Sequence, residues 1–223
     1  MAHNLFTTVA DTSWWAPAIE RLRDLHFNHS DQAQSDAIEL VNRYRDDIPT
    51  MVVDVVTSRQ RRYNTRVLPL LTQFKANAGE SAKSLQALAQ HGSKLNDLRN
   101  GEDDTIRAVA AGLVEVGHQN GATSDRSALN TWRKRTDGLE IAHNLDPYVG
   151  SVKGIGMALF CYLRLLAGSN TIKIDVRVKA ALRNLGFQLP ESDTTTYLLA
   201  AHVSGETGIE LPVLDQLLWH LPS

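Results

Sequence analysis

Apolar residues recur at intervals of three and four along most of the chain, the spacing that lines one face of a helix. Ile19, Leu22 and Leu25 open the series, followed by Ala37, Ile38, Leu40, Val41 and Tyr44, then by Leu85, Leu88 and Ala89, and by Ile106, Val109, Ala110, Leu113 and Val114. Ala158, Leu159, Tyr162, Leu163, Leu165 and Leu166 mark a helix closed by Gly168, and Val176, Val178, Ala181, Leu182 and Leu185 mark the next. Two more helices are expected around Tyr197–Val203 and Val213–Trp219. Polar residues set the expected limits. Ser13 is placed to cap the first helix with Pro17 in its opening turn, and Asn28-His29-Ser30-Asp31 reads as the end of that helix and the cap of a second. The run Met51–Val56 is β-rich by propensity but has no strand partner elsewhere, so its context makes it a buried helix. With no convincing alternating run, the expected fold class is all-α.

Composition narrows the picture. A chain of 223 residues with 43% hydrophobic content can bury a sizeable core, as one large domain or two small lobes. A net charge of −2 excludes a protein that coats nucleic acid by bulk charge, so any such contact must rest on local patches. The single cysteine, Cys161, excludes an internal disulfide framework and a thiolate-held iron–sulfur cluster. His26 and His29 share a face but lack the further ligands a metal needs, and read as solvated residues at a helix end. No basic leader precedes an apolar run and no apolar stretch approaches eighteen residues, so a cytoplasmic chain without a membrane partner is expected.

The densest chemistry falls between Asp146 and Gly186. The stretch reads as a short helix, a tight turn over Val152-Lys153-Gly154-Ile155-Gly156, a second helix, a loop, and a third helix entered through Asp175. Gly154 and Gly156 flank one apolar residue, so the backbone can turn sharply and approach another surface with no Cβ in the way. Asp175 stands at an N-cap position, twenty-one residues after Gly154. This combination resembles the helix-hairpin-helix DNA glycosylase superfamily: a G-[VI]-G hairpin, a helix, and a catalytic aspartate in a V-D-x-x-V-x-R-like context, here Ile174-Asp175-Val176-Arg177-Val178-Lys179. The resemblance is clearest over residues 146–186 and extends more faintly back to about residue 50.

The resemblance implies a two-lobed helical fold, with a central bundle over residues 50–160, a second lobe made of 1–49 and 161–223, and an active cleft between them. It implies double-stranded DNA as the partner, no cofactor, and a monomer with no obligate protein partner. Amides at Gly154, Gly156 and the start of the second helix would take a phosphate, with Lys153 adding charge. The carbonyls of Val152 and Ile155 are the candidates for a monovalent cation, and no side-chain metal site is expected. Asp175 would stabilise positive charge on the sugar as the base departs, after the base has left the stack, and Arg177 would join the DNA contacts. Bifunctional relatives carry a lysine two positions after the second hairpin glycine; Ala158 stands there, which implies base release without strand cleavage.

Thr57-Ser58-Arg59-Gln60 is similar to the L-S-x-Q element of the same enzymes, whose glutamine fills the gap a flipped base leaves. Arg59, Arg61, Arg62 and Arg66 beside it form the densest basic cluster and suit phosphate contacts. Each feature also has a plainer reading from the residues alone. The hairpin is then a helix–helix turn, Asp175 an N-cap, Gln60 a polar residue opening the next helix, and the arginines a solvated face paired with Asp46, Asp47 and Asp54. Trp14, Trp15, Tyr63, Trp132 and Tyr148 are the aromatic candidates for stacking on a base. Two other functions fit the same residues: a non-catalytic helix-hairpin-helix DNA-binding protein of a repair or phage-defence assembly, and a helical interaction scaffold that binds no DNA.

Overall fold

The computed structural model describes residues 10–139 and 141–221. The chain is helical throughout, as the apolar spacing predicts, and no strand occurs among the described residues. Eleven α-helices are assigned there: α1 (Trp15–Asn42), α2 (Ile48–Thr57), α3 (Leu68–Asn77), α4 (Leu85–His91), α5 (Glu102–Gln119), α6 (Asp125–Thr136), α7 (Ala142–Leu145), α8 (Met157–Leu166), α9 (Val176–Asn184), α10 (Asp193–Thr207) and α11 (Leu211–His220). A π-helical turn (Tyr63–Val67) and a 3₁₀ turn (Gly79–Ala82) complete the helical elements. The chain divides into two compact units, Val41–Ser169 and the pair Met1–Leu40 with Asn170–Ser223, so both chain ends belong to one unit. No helix among the described residues is long and apolar enough to cross a membrane.

The core of the Val41–Ser169 unit is α2, all ten of whose residues are buried. It packs against α3, α4, α5, α6 and α8. Its valines are poor helix formers by at most about 0.7 kcal/mol each, whereas burying a valine side chain contributes about 1.5–3 kcal/mol. Burial wins, and the β-rich run is helical. Asp47 starts it by accepting the Thr50 amide (3.1 Å), with Pro49 in the first turn, where its missing N–H costs nothing.

Three sequence expectations are corrected. Asn28-His29-Ser30-Asp31 does not end a helix, because α1 runs unbroken for 28 residues. Cap-forming residues cap only where the chain leaves the helix; here the Asn28 amide turns back to the Asp24 carbonyl (2.8 Å) and Gln32 bonds Asp36 (2.8 Å), both one turn away. Trp14, rather than Ser13, directly precedes the first residue of α1. The short helix expected from Asp146 is instead a turn preceded by the single-turn α7. The buried Asp146 carboxylate accepts the amides of Val149 (2.7 Å) and Gly150 (2.8 Å) and the Trp132 indole N–H (3.1 Å), which diverts that backbone from helical bonding. Gly112 on α5 makes room for the turn, since a Cβ there would collide with the Tyr148 carbonyl.

In the other unit α9 and α10 both pack on α11. Trp15 is buried there against Phe187 and His202 and donates its indole N–H to Glu206 (2.9 Å).

Candidate nucleic-acid interface

The hairpin lies in the Val41–Ser169 unit. Its turn is closed by the Ile155 amide on the Val152 carbonyl (3.0 Å), and the buried Ile155 anchors it while Lys153 and Gly156 stay exposed. Gly154 has φ +97°, a left-handed value open to glycine at low cost. Thr105 of α5 braces the turn by donating its hydroxyl to the Lys153 carbonyl (3.0 Å). Gly156 then occupies the N-cap of α8 with no side-chain cap. Among the described residues, the amides of Gly154, Gly156, Met157 and Ala158 have no hydrogen-bond partner. Open amides at a helix start, where the dipole is positive, attract an anion. The two carbonyls proposed for a cation are engaged inside the protein: that of Val152 by the Ile155 amide, that of Ile155 by His143 Nε2 at 3.1 Å.

The Thr57–Gln60 segment meets the hairpin. A Cβ built on Gly154 would stand 3.5 Å from Arg59 Nη1, so this guanidinium lies at the turn. Gln60 is exposed and left-handed (φ +52°), a conformation that costs a non-glycine residue about 1–3 kcal/mol. Arg99 holds it there, donating to the Arg59 carbonyl (2.8 Å) and the Gln60 carbonyl (3.1 Å). Gln60 therefore sits in a strained turn and does not open the next helical element, which starts at Tyr63.

The arginine cluster separates into different roles. Arg61 forms a two-pronged bond with Glu102, 2.7 Å on each prong, with side-chain exposures of 8% and 1%. That pair occupies its fork, which corrects its expected phosphate role. Arg62 and Arg66 are exposed and make no ion pair among the described residues. Two of the acids expected to neutralise the cluster, Asp47 and Asp54, are used elsewhere. Asp47 caps α2 and lies 3.6 Å from Lys75. The fully buried Asp54 takes hydroxyl bonds on Oδ2 from Tyr44 (2.8 Å), Tyr162 (3.0 Å) and Tyr63 (3.2 Å), and on Oδ1 from Ser58 (2.9 Å). Burial, reinforced by the Asp54 charge, pushes all three phenols up, so they remain protonated donors.

Asp175 lies in the other unit, at the N-cap of α9. Its Oδ1 accepts the amides of Arg177 (2.9 Å) and Val178 (3.0 Å), and its Oδ2 is 3.6 Å from Lys173 Nζ. The side chain is 23% exposed, so it reaches solvent while its cap fixes its position. Arg177 lies over the Trp219 ring, 3.9 Å from its centroid, with a buried Nε that has no partner, so its guanidinium face is already covered. The fully buried Asp215, which feels the Asp175 charge, accepts the Lys173 amide (2.8 Å) and a Gln216 amide hydrogen (3.0 Å). Burial pushes the Asp215 carboxyl up to about 7, and the Asp175 charge adds to the rise.

Among the stacking candidates, Trp15 and Trp132 are buried. Tyr63 is tied to Asp54, Tyr148 lies under Arg135 with its hydroxyl on Gln119, and Trp14 packs edge-on against Trp15 and Phe187. Arg99, Thr105 and Asp215 escaped the sequence reading. Asp215 alone left a signal, an acid on the apolar face of a helix between Leu211, Leu214 and Leu218; Arg99 and Thr105 act through contacts 40 and 48 residues away. Compared with protein-family models, curated proteins and solved structures, the chain shows no match.

Proposed function

We propose that this chain is a monofunctional DNA glycosylase of the helix-hairpin-helix type, which excises a damaged, mispaired or modified base and leaves an abasic site. The observation that carries the reading is the hairpin: open amides on Gly154, Gly156 and the start of α8, with Lys153 exposed beside them and Arg59 at the turn. Such a group binds phosphate through backbone donors and charge together. The exposed Gln60 in its held left-handed turn suits a side chain that enters a duplex, where mobility would weaken the insertion.

Asp175 is the residue assigned to chemistry. As the N-glycosidic bond breaks, its electron pair leaves with the base and positive charge develops on the sugar; the carboxylate stabilises that charge. Water then adds at C1′, its oxygen bonding to carbon while its proton is lost and the departing base gains one. With Ala158 in the position a lysine would need for a Schiff base, the reaction stops at the abasic site.

The test is to incubate the protein with genomic and phage DNA, identify liberated bases by mass spectrometry, and assay strand breaks with and without alkali. Free base together with alkali-dependent breaks is expected; no released base from any DNA would overturn the reading. One observation favours a non-catalytic DNA-binding protein instead: both carboxylate oxygens of Asp175 already have partners, in the α9 cap and Lys173. Duplex binding without base release would select it.

A further inference from the structure

An open groove of about 1750 Å³ lies in the Val41–Ser169 unit, lined by the π-helical turn, α3 and the Asn96–Arg99 loop. Four arginines line it, Arg61, Arg62, Arg66 and Arg99, against one acid, Asp97. Glu102 neutralises Arg61. Arg99 spends its hydrogen bonds on the Arg59 and Gln60 carbonyls. Arg62 and Arg66 therefore remain as exposed guanidinium groups without an acidic partner among the described residues, on a chain whose net charge is −2. They are four apart, Arg62 at the N-cap of the π-helical turn and Arg66 in its last turn, and the Tyr63 of that turn is drawn inward by Asp54. Rare π turns commonly mark functional positions.

The groove is continuous with the hairpin surface. Arg59 lies at Gly154, the exposed Gln60 follows it, and Gln60 itself lines the groove. Its remaining surface mixes half-exposed Leu68 (42%) with the amide side chains of Asn64, Gln73 and Asn96. Guanidinium forks beside amides and small apolar surfaces suit a sugar–phosphate backbone, which offers anionic oxygens and apolar sugar edges in alternation. We propose that this groove receives the backbone of the DNA strand opposite the one held by the hairpin, with Arg62 and Arg66 contacting its phosphates. The inference rests on the duplex-binding half of the proposed function and is independent of base release.

The experiment compares wild type with an Arg62→Ala/Arg66→Ala variant, using fluorescence anisotropy with a labelled duplex and its single strand between 50 and 200 mM NaCl. Each phosphate contact contributes about 0.9 to the slope of log affinity against log salt on duplex DNA. The variant is expected to bind duplex at least tenfold more weakly, with a slope shallower by about 2, and to bind the single strand within twofold of wild type. Both side chains are exposed, so the variant should keep the wild-type thermal midpoint; an Arg62→Gln/Arg66→Gln variant replaces it if it does not. Unchanged duplex affinity and slope would overturn the proposal, as would equal weakening on duplex and single strand. Failure of wild type to bind duplex would remove the DNA-binding reading as well. Absence of base release with the duplex-specific loss intact would leave this proposal standing and count against Asp175 alone.

Discussion

Buried charge decides which of the arginines are available. Arg61 and Glu102 are almost fully enclosed and satisfy each other through two short bonds. Removing one member strands the other, so Glu102→Ala is expected to cost about 3–5 kcal/mol, measured by urea denaturation. Asp54 obeys the same logic with neutral partners. An Asp54→Asn amide would turn one acceptor into a donor facing the hydroxyls of Tyr44, Tyr63 and Tyr162, and the expected loss is about 1–3 kcal/mol. Asp215 gives a pH signature. Its carboxyl titrates at about 7 in the folded chain and near ~3.9 when unfolded. Between those values the folded state keeps a proton that the unfolded state has released, so its contribution to stability falls as pH rises from about 4 to about 7 and is level above. Denaturation of wild type and Asp215→Asn across that range should show this decline only in wild type.

At the scale of elements, the hairpin is where local sequence and tertiary packing agree. Gly154 combines a positive φ with a braced neighbour: an alanine Cβ would lie 2.7 Å from Thr105 Oγ1. Gly154→Ala is expected to lower stability by about 1–3 kcal/mol, read by thermal denaturation, and to weaken duplex binding beyond that of a Lys153→Ala variant. The helices α8 and α9 were legible because their apolar residues keep a 3.6-residue period and a residue suited to each start, Gly156 and Asp175, stands in place. The unbroken α1 was not legible, because Asn28-Ser30-Asp31 carries a cap signature that the backbone never uses. Nor was the turn at residues 146–151, whose conformation depends on Asp146 being buried beside Trp132, fourteen residues earlier. Local rules locate a possible helix end; long-range contacts decide whether the chain takes it.

Across the whole molecule, the class of fold was written in the spacing of apolar residues, and the division into Val41–Ser169 and a unit of both chain ends can be set beside the expected 50–160 bundle. The partners of the charged residues were not written there: Arg61 finds its acid 41 positions away, and Arg99 reaches back 40 positions to fix the turn at Arg59. The identity of the excised base depends on side chains from several helices and has no linear pattern. Asp175 is the point on which the enzymatic account stands, and asparagine is a suitable probe because it caps a helix as well as aspartate does. The deciding measurement is base release from substrate DNA by Asp175→Asn beside wild type, with duplex affinity recorded for both. The account predicts equal affinity and release slowed at least about a hundredfold; release at the wild-type rate by the asparagine protein would contradict it.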